Sequence, residues 1–73
     1  MTLTLKVQQH VRLSPKMVKQ IYDDVLTVDF HEWREHFEDN KKTVDDFSLK
    51  ADNSIIVYRV NLSWRLITIM DVF

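Results

Sequence analysis

SIIVYRVNLSWRLITIMDVF, residues 54–73, is the longest apolar and β-branched stretch of a 73-residue chain, and its phase decides the fold. Val, Ile, Tyr and Trp favour a pleated, half-buried surface. Odd positions carry Ile55, Val57 and Arg59, then Arg65, Ile67, Ile69, Asp71 and Phe73. Even positions carry Ile56, Tyr58 and Val60, then Trp64, Leu66, Thr68, Met70 and Val72. Neither set is polar, which is the pattern of strands covered on both faces. Asn61, Leu62 and Ser63 form the one turn signal inside the stretch, so two antiparallel strands are predicted, over residues 55–60 and 64–72. A single long bent strand is the alternative. Without glycine for a primed two-residue turn, the connection is expected to be looser than the tightest hairpin. A membrane-spanning helix is disfavoured, because Arg59, Asn61, Arg65 and Asp71 would lie in hydrocarbon.

Upstream, residues 2–13 alternate. Leu3, Leu5, Val7, Val11 and Leu13 fall on one side, with Gln9 out of phase, and Thr2, Thr4, Lys6, Gln8, His10 and Arg12 on the other. This predicts a long strand with one buried and one basic face. Ser14 and Pro15 then have the form of a helix start, a capping hydroxyl followed by a proline at the first helical position. Met17, Val18, Ile21, Tyr22 and Val25 make one stripe of that helix. The stripe fails after Leu26, and Asp29 with Glu32 resembles a capping box, so a break is predicted near residues 27–29. A second helix follows over residues 30–39, with Phe30, Trp33 and Phe37 inward and Glu32, Glu35, Glu38 and Asp39 outward. Asn40 is the candidate left-handed cap. Residues 41–54 read as polar connection, with a helical turn at 43–46, anchors at Val44, Phe47 and Leu49, and a turn at Asp52, Asn53 and Ser54. The predicted architecture is one small α+β domain, β-α-α-β-β, an antiparallel sheet with two helices on one face.

Composition narrows the function. The chain has no cysteine, which removes disulfides and thiolate metal sites and suits a reducing, cytoplasmic setting. It has no secretory signal pattern, and no glycine for phosphate-cradling loops or dinucleotide fingerprints. A domain this size buries only about 60% of its unfolded surface, so a homodimer or a protein partner is an attractive source of further burial. Net charge is −1 but uneven. Residues 1–22 hold four cations and no acid, residues 23–52 ten acids against four cations, and residues 53–73 two cations against one acid. Such asymmetry either steers a partner or marks a solvated face.

No catalytic constellation emerges. His31 and His36 are five apart and point about 140° away from each other on a helix, so no metal site or other cofactor is expected. Glu32 and His36, one turn apart, are placed to pair. The acids at 23–24, 35 with 39, and 45–46 fall on wet faces, where general acid–base chemistry lacks its apolar environment. Arg59, Tyr58, Trp64 and Arg65 flank the proposed turn, a composition shared by RNA-contacting and protein-contacting surfaces.

VDFHEW and DDF, followed by SIIVYRV and SWRLITI, resemble the middle of the RelE/HigB-type toxins of bacterial toxin–antitoxin pairs, over residues 28–69. The resemblance implies a small α+β protein with helices packed on an antiparallel sheet. It also implies messenger-RNA cleavage on the ribosome, with Arg59 and Arg65 matching basic sheet residues of that family. It bears on architecture more than on activity. Ribosome-acting toxins are usually basic, and that family usually has a further strand carrying catalytic or ribosome-contacting residues.

The leading expectation is a non-enzymatic, regulatory or inhibitory protein-binding module of the kind small phage, plasmid or accessory genes encode. Its contacts would be Glu32, Glu35, Glu38 and Asp39 on the acidic helix and Tyr58, Trp64, Leu66 and Met70 on an uncovered sheet face. The alternative is an RNA-acting, toxin-like enzyme or its inactive relative. Lys6, Arg12, Arg59 and Arg65 are the candidate nucleic-acid contacts, and no membrane partner is expected.

Overall fold

The computed structural model describes residues 3–73. Thr2, assigned above to the first strand, and the side chain of Phe30, assigned to the inward stripe of the second helix, lie outside what is described. The elements are β1 (Thr4–Val7), α1 (Pro15–Ile21) continuing into a π-helical turn (Tyr22–Leu26), α2 (Phe30–Asn40), β2 (Val44–Ala51), β3 (Ser54–Asn61) and β4 (Leu66–Val72). The sheet runs β1-β4-β3-β2, with β1 parallel to β4 and the other pairings antiparallel. The fold is α+β, in the order strand, helices, strands, with one strand more than the sequence pattern predicted and a mixed sheet.

The predicted helix starts hold. Ser14 Oγ accepts from the Met17 amide at 3.3 Å and donates to Asp52 at 3.0 Å, so it caps α1 and ties it to the β2–β3 turn. Asp29 Oδ1 accepts the His31 amide at 2.9 Å and caps α2 after the predicted break. Helix α2 runs one residue past its expected end. Lys41, not Asn40, takes the left-handed conformation, at φ 54°. The Lys42 amide reaches back to the Phe37 carbonyl at 3.0 Å, which satisfies a carbonyl the helix would otherwise leave open.

Three readings are corrected. Residues 43–46 are not helical, and residues 44–51 form a full strand rather than a connection. Asp52 and Asn53 join β2 to β3 with positive φ at both central positions, the requirement of a type I′ turn, here met without glycine. The first strand is only Thr4–Val7. The chain turns at residues 9–10, and Val11 and Leu13 still reach the core from irregular backbone, so the alternation there reported burial rather than strand.

The hairpin predicted from residues 54–73 is present, but its second face is not the continuous apolar surface expected. Val57 pairs with Asp71 and Tyr58 with Ile69, which leaves Met70 as an extra residue in β4. This bulge reverses the phase of β4. Ile67, Ile69 and Val72 thus share the inner face with Ile56, Tyr58 and Val60 under the helices. The outer face receives Leu66, Thr68, Asp71 and Phe73 opposite Asn61, Arg59, Val57 and Ile55. A polar row, Lys6–Thr68–Arg59–Asp46, crosses its middle.

The core is built by Met17, Ile21, Val25, Trp33 and Phe37 from the helical layer against the inner strand residues. Phe47 of β2 sits among four rings, with centroids 5.0 Å from Trp33, 5.2 Å from His36, 5.6 Å from Tyr58 and 6.5 Å from Phe37. Edge and stacked ring geometries of this kind add to the burial of each ring.

Candidate partner-binding site

Helix α2 divides as its periodicity predicts. Trp33 and Phe37 are buried, and Glu32, Glu35, Glu38 and Asp39 are exposed. Part of this charge is balanced locally. His31 Nε2 lies 3.1 Å from Glu35, and Arg34 lies 3.8 Å from Glu38. His36 does not pair with Glu32. The α2–β2 connection brings Asp45 to 3.2 Å from His36 Nε2, with Lys42 at 3.9 Å from the same carboxylate. The His36 hydrogen bond, the Asp46 amide and the Lys42 charge together hold the Asp45 carboxyl below its ordinary value of 3.8.

That shift predicts a pH dependence. The contribution of Asp45 to stability is present above the carboxyl's ordinary range and is lost as pH falls through its lowered folded value. In the His36→Ala variant, the Asp45 titration followed by carboxyl-carbon NMR is expected to move back up. An unchanged midpoint would assign the shift to the Asp46 amide and Lys42 instead.

The expected sheet contacts separate. Tyr58 is buried, stacked on Phe47 with the rings 23° from parallel, and is withdrawn from the surface. Burial pushes its hydroxyl above the ordinary 10.0, and the nearby Asp24 charge adds to the effect. Met70 is half-buried at the bulge and Leu66 is half-buried on the outer face. Trp64 is the outlier, 77% exposed in the turn that joins β3 to β4. That turn is well held. The Asn61 side chain accepts the Trp64 amide at 3.0 Å, and the Leu62 amide donates to the Thr43 carbonyl at 2.8 Å. The Arg65 amide donates to the Leu62 carbonyl at 3.2 Å, and the Arg65 carbonyl accepts the Thr4 amide at 2.9 Å.

A shallow groove of about 310 Å³ runs between this turn and α2, lined by Arg34, Thr43, Leu62, Ser63 and Arg65. Sequence reasoning missed it, because it depends on the connection after α2 docking against the turn through the bond from Leu62 to Thr43. The groove brings Arg34 of α2 together with Ser63 and Arg65, the residues on either side of Trp64 in the turn.

The candidate nucleic-acid contacts are not gathered in one place. Arg59 is engaged by Asp46 through two hydrogen bonds of 2.7 and 3.2 Å on the outer face, in the same cross-strand row as Lys6. Arg65 lies in the β3–β4 turn, beside the start of β1, and Arg12 lies beyond the other end of that strand. Among the described residues there is no cluster of three or more His, Cys, Asp or Glu placed to hold a metal ion, and no helix is long and apolar enough to cross a membrane. No family model, curated protein or solved structure matches the chain.

Proposed function

We propose that this chain is a small non-enzymatic protein-binding module with a regulatory or inhibitory role. It meets its partner with the end of the molecule that carries Trp64 and the exposed acids of α2. The observation that carries this reading is Trp64 itself, a largely exposed tryptophan on a turn fixed by side-chain and backbone hydrogen bonds. Large exposed aromatics held on rigid backbone are the residues that dominate binding energy at protein interfaces, because little ordering remains to be done when they bind. The exposed acids of α2, Glu32, Glu35, Glu38 and Asp39, favour a basic partner surface and speed encounter with it.

The outer sheet face contributes less than the sequence pattern suggests, since its polar row divides Leu66 and Val44 at one end from Ile55, Val57 and Phe73 at the other. A second copy of the chain is the alternative occupant of the Trp64 end, and sedimentation of the isolated protein separates the two. Capture from extract of the source cells tests the reading. The wild-type chain is expected to retain a basic protein that folded Trp64→Ala loses, with affinity reduced about 30-fold or more, the scale of an interface hot spot. Equal retention by both would contradict it.

A further inference from the structure

The two edges of the sheet are unlike. β1 is 4 residues long, while β2, at the other edge, is 8 and has no strand beyond it among the described residues. Ile55 exchanges both backbone hydrogen bonds with Phe73, so the odd-numbered residues of β3 bond to β4 and the even-numbered ones to β2. By the same alternation the amides and carbonyls of Asp46, Ser48 and Lys50 point away from β3, out of the edge. Of these groups the Asp46 amide is taken locally, by the Asp45 carboxylate at 2.9 Å. The inner side of β2 is also incompletely covered. Phe47 and Leu49 are half-buried, while Ile56 and Val60, one strand further in, are fully buried. An open strand edge is a template for another strand, and the charges along it decide which strand fits.

We propose that β2 pairs with itself: two copies of the chain join antiparallel along β2, about a two-fold axis at Ser48, into one continuous sheet. The sequence selects this register. Residues opposite each other across the seam must lie on the same face. With Ser48 opposite Ser48 of the second copy, Asp46 falls opposite Lys50 on the outer face, and symmetry repeats the pair. Phe47 falls opposite Leu49 on the inner face, so each copy covers the apolar side chain the other leaves half-buried. The next register on one side sets Asp46 against Asp52, and the next on the other sets Lys50 against Val44, so both lose the charge pairs. The two Ser48 residues exchange both hydrogen bonds, and each Lys50 amide donates to the opposite Asp46 carbonyl, which leaves the bond from the Asp46 amide to Asp45 in place. Asp46 keeps Arg59 on its other side, so the row of alternating charge runs on across the seam. Charges that guard the edge against other strands thus fit a second copy. A seam of one strand pair is small, and the dimer is weak, with Kd on the order of 100 µM. The proposal is independent of the partner reading above, because Trp64 stands in the β3–β4 turn and not in β2.

Sedimentation equilibrium of the isolated chain between about 10 µM and about 1 mM reads the association directly, and the wild type is expected to pass from monomer to dimer across that range. Ser48→Glu sets two carboxylates against each other on the axis. Lys50→Glu sets acid against Asp46, and Asp46→Lys sets base against Lys50. Each should weaken association about tenfold or more while the circular dichroism of the fold is unchanged. An equimolar mixture of the Lys50→Glu and Asp46→Lys chains should restore the dimer, because every opposition in the mixed pair is again acid to base. A wild-type chain that stays monomeric at about 1 mM would overturn the proposal, and so would a dimer that Ser48→Glu leaves intact. A mixture that stays monomeric would overturn the register. A dimer lost in Trp64→Ala but kept in Lys50→Glu would overturn the seam and place the contact at the Trp64 end.

Discussion

Replacing Phe37 with alanine is expected to leave the chain largely unfolded at physiological temperature. Phe37 is 1% exposed and is the largest of the fully buried side chains. It packs against His36 on its own helix and Phe47 across the layer. Truncating a buried phenylalanine costs about 3–5 kcal/mol, partly from lost transfer energy and partly from the cavity left behind. A chain of 73 residues has a total stability of about 4–11 kcal/mol at the usual stability per residue. The loss is therefore comparable with the whole. Urea unfolding followed by circular dichroism should give a midpoint near zero denaturant, and a melting temperature lowered by tens of degrees. A midpoint close to that of the wild type would mean that the aromatic layer between α2 and β2 is not the core.

The second large effect is a contrast between adjacent residues. Phe47→Glu is expected to abolish folding, while Ser48→Glu should change stability by only about 0.5 kcal/mol. In β2, Phe47 faces Tyr58 on the inner side and Ser48 faces Val57 on the outer side. A carboxylate at position 47 would be buried among Trp33, Phe37 and Tyr58, which costs several kcal/mol unless its charge is removed. At position 48 it would stand in water beside the polar row. Equal effects at the two positions would show that residues 44–51 are not a strand with this register. The same thermal and urea measurements decide it.

The missed strand shows how far the sequence could be read. Phe47, Leu49 and Ala51 alternate with Asp46, Ser48 and Lys50, and the turn at Asp52 and Asn53 follows at once. Those are the marks of a hairpin, but Asp45 on the inner side and Val44 on the outer side break the phase where the strand begins. Asp45 is tolerated there because His36 and Lys42 meet it, a tertiary fact that no local pattern carries. Helices α1 and α2 were legible because their N-caps and most of their stripes are local, but Tyr22, read into the first stripe, is exposed, and Lys41 rather than Asn40 takes the left-handed cap. Strand β1 was over-read because burial of Val11 and Leu13 mimics alternation.

Residues 54–73 carry the clearest lesson. Their apolar character in both phases suggested two faces needing cover. The bulge at Met70 shifts the phase of β4 so that Val72 joins the inner face and Asp71 the outer, and the outer face, with Leu66, Ile55, Val57 and Phe73 around a polar row, is mixed. Tyr58 accordingly belongs to the core, and Trp64 gains weight because it stands in the turn, outside either phase. The groove beside that turn brings Arg34 and Thr43 together with Leu62, Ser63 and Arg65 and left no signature in the sequence.

The most direct test of partner binding through the Trp64 end follows the two indole N–H resonances of the native chain by NMR. Trp33 is buried and Trp64 is exposed, so in the isolated protein the first is expected to be protected from exchange with water and the second is not. On adding the captured partner, the Trp64 resonance should shift and become protected while that of Trp33 holds its place. A Trp64 resonance that stays in rapid exchange within a saturated complex, or that is already protected in a monomeric free chain, would contradict the proposed mode of binding.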